Sequence, residues 1–280
     1  MTEIRSRKQD ESLANSLETF AERPKRGLPH VKGGKIAEFG CGPGVVLSLL
    51  SKSFPESVIV GVDPSEVMLD RVNRRDLSNV VALRGKATDT IFPKNSFDSA
   101  IFISVLHEIW SFEGESRVVE ALTKAEDVLK PGGRLIIEDF IRPDPSWVKV
   151  KFRNIDAEKR FMRFASGPKK IHYEKSGNLA EMDIGDCLEF FMGYKLSDPE
   201  WEEKVEEGES HFAQTMAQLQ GILTKLNFVI EEVATYPFSG GDWNSWMEDV
   251  EVDFGMVPKD GLIVARKKSL SSKDDGSQKA

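Results

Sequence analysis

Two carboxylates flank a glycine-rich turn. Glu38 lies in Ile36-Ala37-Glu38-Phe39-Gly40-Cys41-Gly42-Pro43-Gly44, and Asp63 ends Val60-Gly61-Val62-Asp63-Pro64-Ser65. Glycines so spaced let a chain turn sharply out of a strand and bring its backbone close to a ligand. The spacing excludes two common loops. A dinucleotide fingerprint counted from Gly40 and Gly42 needs its third glycine at 45, where Val45 stands, and a P-loop needs Lys-Ser/Thr after its last glycine, where Val45-Val46 follow Gly44. A carboxylate at position 38 repels a pyrophosphate and welcomes a cationic or amine-bearing ligand. Asp63 can offer both oxygens to two vicinal hydroxyls, or it can cap the helix that Pro64 opens.

Other reactive groups fall at comparable places. Leu106-His107-Glu108-Ile109 follows an apolar run at Asp98–Ser104, and Glu138-Asp139 closes Arg134–Phe140. An imidazole titrates near neutrality, which makes His107 the base candidate. The alternative is a histidine that only hydrogen-bonds and shapes the pocket. Metal-ligand spacing is absent: Cys41 and Cys187 have no cysteine neighbours, and the four histidines form no His-x-x-x-His pattern. No metal is therefore expected.

These groups need elements to position them. Short apolar or β-branched runs at Ile36–Phe39, Ser57–Val62, Asn79–Leu83, Asp98–Ser104 and Arg134–Phe140 read as strands. Val45–Leu50, Ser65–Arg75 and Glu115–Leu129 read as the helices between them, the last stopped by Lys130-Pro131-Gly132-Gly133. Such alternation with short connections argues for an α/β fold, a doubly wound parallel sheet. Candidate groups then belong beyond the C-terminal ends of the strands.

In this setting Glu-x-Gly-x-Gly-x-Gly after a first strand resembles motif I of the class I S-adenosylmethionine-dependent methyltransferases. Four more segments resemble the family in order: Val60 to Ser65, Ser96-Phe97-Asp98-Ser99-Ala100, Leu106 to Ile109, and Leu129-Lys130-Pro131-Gly132-Gly133-Arg134-Leu135. The resemblance implies a seven-stranded, mostly parallel sheet with helices on both faces, and S-adenosyl-L-methionine as cofactor. It places Asp63 on the ribose, with Pro64 beside it, and Gly40, Cys41, Gly42 and Gly44 along the methionine portion. Glu38 falls near the ammonium and the loop amides, Leu106 to Ile109 border the methyl group, and Ser104 is counted among the cofactor contacts. Met68 packs on the adenine or simply belongs to the core. The family often has Gly-Asp-Ala after strand three, where this chain has Gly85-Lys86-Ala87. Lysine cannot accept from the adenine amino group, so adenine recognition falls to backbone at Lys86 and Ala87, or to Asp89. Substrate contacts are assigned to His107, Glu108, Asp139 and Tyr173, with His172 and His211 also within reach of a lid.

The rhythm breaks between Ile141 and about Ser210, a charged stretch of helical character after strand five. Its first part is basic, around Lys149 to Lys175, and its second acidic, from Glu181 to Glu207. It reads as a solvated helical insertion or as a substrate cap carrying Phe161, Phe164, Tyr173, Phe190, Phe191 and Trp201. The sheet pattern resumes with a helix over His211–Leu226, capped by Asn227 in the left-handed region. Two strands follow at Phe228–Tyr236 and Gly261–Arg266, and the long loop between them carries Trp243 and Trp246. The expected organisation is an N-terminal helix and loop over 1–34, a cofactor-binding core over 35–140, the insertion over 141–210, the rest of the sheet over 211–268 and a disordered tail over 269–280.

Composition bounds the function. The chain has 280 residues with 38 basic and 46 acidic side chains, a net charge of −8 that makes a nucleic-acid partner unexpected. No apolar run is long enough to span a membrane, and two cysteines suit a reducing, cytoplasmic setting. The expected activity is methyl transfer to an oxygen or nitrogen acceptor on a small molecule. RNA or protein acceptors and a non-catalytic cofactor-binding protein are the alternatives. The oligomeric state is left open.

Overall fold

From residue 35 onward each short apolar run becomes a strand. The computed structural model describes residues 6–19, 26–167, 171–195, 209–239 and 248–269. Strands β1 (Lys35–Phe39), β2 (Val58–Asp63), β3 (Val80–Arg84), β4 (Phe97–Ile103) and β5 (Leu129–Phe140) lie parallel. Near the end of the described chain come β9 (Phe228–Ser239) and β11 (Met256–Lys267). The sheet order is β3-β2-β1-β4-β5-β11-β9, with β11 antiparallel to both neighbours. The order reverses at β1, so a crevice opens between the C-terminal ends of β1 and β4, where open α/β sheets bind ligands.

Helices cover both faces. On one, α2 (Val45–Ser53) and α3 (Glu66–Arg74) bury Val46, Leu47, Leu50, Leu69 and Val72 against Ile36, Ile59 and Ile101. On the other, α5 (Glu115–Val128) and α8 (Met216–Lys225) bury Val118, Leu122, Leu219 and Leu223 against Phe39, Phe102 and Ile137. Each fully buried side chain of this size contributes roughly 1.5–3 kcal/mol. Ser65 caps α3 by accepting from the Met68 amide, and Glu66 and Arg74 suit the two ends of the helix dipole. α8 starts at a Thr215–Gln218 capping box, later than the His211 start expected, and Asn227 is not left-handed: the Leu226 amide closes the helix on the Ile222 carbonyl. The N-terminal helix α1 (Arg7–Thr19) lies against α3, with Asn15 accepting from Arg71 and Asp10 accepting from Ser65 Oγ.

Among its described residues the insertion holds two helices, α6 (Ile155–Ala165) and α7 (Ile184–Lys195), and also a second sheet that the charge pattern concealed. Its strands are β6 (Trp147–Phe152), β7 (Tyr173–Ser176) and β8 (Leu179–Asp183), joined by β10 (Val250–Val252) from the β9–β11 connection. The order is β10-β6-β8-β7, antiparallel throughout. Val148, Val150 and Phe152 point inward from β6 while Lys149 and Lys151 point out, the period of a half-buried strand. Phe161, Phe190 and Phe191 are fully buried in this unit's own core, which continues into Phe140 and Phe212. Phe20, Trp201, Trp243, Trp246 and residues 270–280 lie outside the described residues.

Candidate functional site

The turn after β1 is built on left-handed glycines: φ is +70° at Gly40, +49° at Gly42 and +81° at Gly44. A Cβ at Gly40 would fall 2.3 Å from Val105 Cγ2, and one at Gly44 would fall 2.9 Å from Val72 Cγ2. Those two positions need glycine for packing as well as for backbone. Among the described residues, a Cβ at Gly42 would meet only Leu17 Cδ1, at the ordinary contact distance of 3.5 Å. The Gly40 and Cys41 amides donate to the Val62 carbonyl, which ties the turn to β2. Cys41 is buried, and burial followed by the nearby Asp63 and Glu38 charges pushes its thiol well up, so it lines the turn as an inert group.

Asp63 ends β2 directly opposite. Its Oδ2 accepts from the Gly42 amide and its Oδ1 from the Ser65 amide, both at 2.9 Å. Burial nevertheless raises it to about 6, helped by the Glu108 and Asp10 charges. Glu38 is also buried, and its Oε2 has no hydrogen-bond partner among the described residues. Burial first, and Asp63 second, push its carboxyl well up. Two buried acids beside a glycine turn are costly unless something pairs with them. An ammonium and a pair of hydroxyls are groups of the kind they lack, so the residues present fit S-adenosylmethionine.

The remaining cofactor candidates surround this turn. Pro64 is exposed and Met68 is buried on α3. The Lys86 amide already donates to Asp89 Oδ2 at 2.8 Å, and Lys86 Nζ pairs with Glu113 at 2.9 Å. Of the backbone groups expected at the adenine, the Lys86 amide is therefore engaged, whereas no such bond is seen at buried Ala87. Ser104 holds a left-handed backbone, φ +52°, at the tip of β4, with its amide on the Glu138 carbonyl. Such strain in a non-glycine residue concentrates at functional sites.

Beyond β4 the expected base sits in an unexpected setting. His107 opens α4 (Leu106–Glu113), whose N-cap position, Val105, supplies no side-chain cap. Asp139 caps it instead: Oδ2 accepts from the Leu106 and His107 amides at 2.7 and 3.2 Å. Its Oδ1 accepts from the Phe140 amide at 2.8 Å and lies 2.6 Å from His107 Nδ1. Asp139 is thus a buried positioning group and not a free substrate contact. On the other side, His107 Nε2 lies 3.3 Å from Glu209 Oε1. Burial works to lower the imidazole, but Asp139 and Glu209 outweigh it and push His107 up to about 10. With no other ligand at the ring, this arrangement favours the imidazolium form, which has no lone pair to take a proton.

His211 joins the cluster, its ring 5.5 Å from that of His107, and Glu189 stands 3.6 Å from His211 Nδ1. Glu209 and Glu189 carried no local signal in the sequence, since packing alone brings them here. Two other candidates lie elsewhere. Tyr173 is on β7, ring against Phe161 and hydroxyl on Met162 Sδ, and exposed His172 packs on Trp147.

Comparison with known proteins bears on the sheet and its glycine turn. Residues 37–137 match the family model described as a methyltransferase domain. Over 125 residues the chain is 31% identical to the demethylmenaquinone methyltransferase of Listeria welshimeri, covering 42% of this chain and 50% of that protein. The Symbiobacterium thermophilum protein of the same name is 29% identical over 126 residues, 43% of this chain and 48% of that one. The chain thus spans about half the length of these curated relatives. Among solved structures, a Mesorhizobium loti S-adenosylmethionine-dependent methyltransferase superposes with TM-score 0.54 at 19% identity, covering 87% of this chain and 95% of that one. A Haemonchus contortus phosphoethanolamine N-methyltransferase 2, in complex with phosphomonomethylethanolamine and S-adenosylhomocysteine, gives 0.52 at 16% identity, covering 88% of this chain and 52% of that one. With the strand order and the glycine turn described above, residues 37–137 match a methyltransferase domain and carry the fold of the class I S-adenosylmethionine-dependent methyltransferases.

Proposed function

We propose that the protein transfers a methyl group from S-adenosylmethionine to an oxygen or nitrogen acceptor on a small molecule. The observation that carries this reading is the pair of buried acids across the turn: Glu38, with an oxygen lacking a partner among the described residues, and Asp63, raised to about 6. Glu38 and the amides of the Gly40–Gly44 turn would hold the amino-acid end, Asp63 the ribose hydroxyls, and Met68 and Ala87 the adenine. When bound, the cofactor supplies an electrophilic sulfonium methyl. The chain's own part is alignment and exclusion of water, which supply much of the acceleration in a direct displacement. Glu108, close enough for its charge to act on Asp63, is the substrate contact retained in this reading.

The insertion caps the acceptor side in this reading. β5 runs straight into it, and Arg142 pins its start to Asp183 and Asp186. A small acceptor is favoured over RNA because several of its lysines are paired with acids: Lys149 with Glu181 at 3.2 Å, Lys151 with Glu251 at 3.6 Å and Lys175 with Glu158 at 2.7 Å. The names of the curated relatives point the same way. The test is transfer of labelled methyl from S-adenosylmethionine by the full chain to a panel of small hydroxyl and amine compounds. Transfer to members of one chemical class supports the reading. Tight binding of S-adenosylhomocysteine with no transfer, except to RNA or protein, would overturn the small-molecule assignment.

A further inference from the structure

His107, Glu209 and His211 come together where the end of β5 meets the second unit. His107 Nε2 lies 3.3 Å and His211 Nε2 3.9 Å from the same oxygen, Glu209 Oε1. One ligand-capable atom from each of the three residues falls within 4.8 Å of the other two, and all three residues are buried. The opposite nitrogen of each ring faces a carboxylate: Asp139 Oδ1 at 2.6 Å from His107 Nδ1, and Glu189 Oε2 at 3.6 Å from His211 Nδ1. Both carboxylates are themselves anchored. Asp139 holds the amides that open α4, and Glu189 Oε1 accepts from the Phe212 amide at 2.6 Å and Ser210 Oγ at 2.7 Å. Ser111 fixes the Glu209–His211 segment to α4, accepting from the Ser210 amide at 2.6 Å and donating to its carbonyl at 3.2 Å.

Two imidazoles with carboxylates at Nδ1, hydrogen-bonded at His107 and at ion-pair distance at His211, and with Nε2 atoms converging on a third carboxylate, form the pattern of a metal centre with its outer carboxylates. The geometry points to a divalent transition-metal site made by His107 Nε2, His211 Nε2 and Glu209, with zinc as the metal best matched to the donor set. A tetrahedral zinc with bonds of about 2.0 Å holds its ligand atoms about 3.3 Å apart. The His107–Glu209 separation matches that edge, and the His211–Glu209 separation reaches it by a small side-chain rotation. Charge favours the same conclusion, because three carboxylates, Asp139, Glu189 and Glu209, surround two rings. Three protein ligands leave the fourth zinc position for an oxygen ligand, as in sites that handle substrate. The site stands on its own geometry; only the idea that this fourth ligand is the methyl acceptor rests on the methyltransferase reading. Sequence spacing excluded a metal because α5, β5 and the insertion separate His107 from Glu209 and His211.

The test uses the full chain, stripped with a chelator and titrated with Zn²⁺ by calorimetry, with Co²⁺ as a spectroscopic stand-in. One equivalent of Zn²⁺ is expected. Co²⁺ should show visible d–d bands without thiolate charge transfer, because neither Cys41 nor Cys187 is in the cluster. Glu209→Gln, nearly isosteric, should abolish stoichiometric binding, and Glu189→Gln should weaken it about 10- to 100-fold, the range for an outer hydrogen-bond partner of a metal ligand. His172→Ala, at an exposed histidine outside the cluster, should bind as the parent does. Circular dichroism and melting confirm that the compared variants are folded. No stoichiometric Zn²⁺ in the parent protein would overturn the site, leaving a buried ion-pair network. So would unchanged affinity in folded Glu209→Gln and Glu189→Gln, or loss of binding in His172→Ala.

Discussion

Gly42 donates its amide to Asp63 Oδ2 at 2.9 Å, a side-chain hydrogen bond that adds to the backbone bonds joining the turn after β1 to the end of β2. A carboxylate oxygen has more than one lone pair, so Asp63 can hold the turn and still accept from two hydroxyls. Asp63→Ala is expected to weaken binding of S-adenosylhomocysteine by about 1.5–3 kcal/mol, the range for hydrogen bonds to a charged group. Calorimetry on the two proteins checks it, and equal affinities would remove Asp63 from the ribose.

Gly40 and Gly42 should separate fold from binding. Gly40→Ala drives a Cβ into Val105 with φ at +70°, so it should destabilise by about 2–4 kcal/mol. Among the described residues Gly42→Ala meets only Leu17, at ordinary contact distance, so the fold should lose only about 1–2 kcal/mol from the left-handed backbone. Its cofactor affinity should nevertheless fall at least tenfold. Normal binding by Gly42→Ala would reduce that glycine to a turn residue.

The two buried acids should make the ligand-free protein more stable as pH falls. Both have folded pKa values above their unfolded ones, Asp63 at about 6 and Glu38 well above the ordinary range. The folded state therefore binds the extra protons, and the Asp63 share of stability grows as pH drops from about 6 toward 4. Glu38→Gln removes one of these charges. It should stabilise the ligand-free protein by about 0.5–2 kcal/mol at pH 7.5, flatten the pH dependence and weaken cofactor binding. Denaturant melts at pH 5.5 and 7.5 decide this; identical curves for parent and variant would contradict it.

His107 and Asp139 should behave as structure before chemistry. Removing Asp139 uncaps α4 and takes one of the two carboxylates from His107, leaving Glu209 as its partner, so Asp139→Ala should cost about 2–5 kcal/mol. The methyl-transfer rate should show no inflection from an ordinary imidazole between about pH 6 and 8. A rise through that range that disappears in His107→Asn would return His107 to the role of base.

The glycine turn and its two acids were legible because these residues are local. Glu38 and Asp63 sit on two short strands joined by one helix, the three glycines fill the turn between strand and helix, and their spacing alone argued against dinucleotide and P-loop binding. The second sheet was not, although Val148-Lys149-Val150-Lys151-Phe152 alternates with the period of a strand. Its lysines drew attention to charge, and its partner β10 comes from far along the chain. The direction of the Asp139 side chain was equally out of reach. No spacing tells whether a carboxylate at a strand end faces a ligand or turns back onto the next helix.

The place of β11 bears on how the chain is made. Synthesis delivers β1 to β5 first, and these can pair as they emerge. The seat between β5 and β9 is filled by the last strand of the sheet, through antiparallel pairing to both. Until then the β5 edge from Arg134 to Phe140 exposes unpaired backbone, a template for β9 in the wrong seat or for another nascent chain. Vectorial folding thus completes the glycine turn and its acids early and leaves one seam open. The interval before β11 arrives is when a chaperone would matter most to this protein.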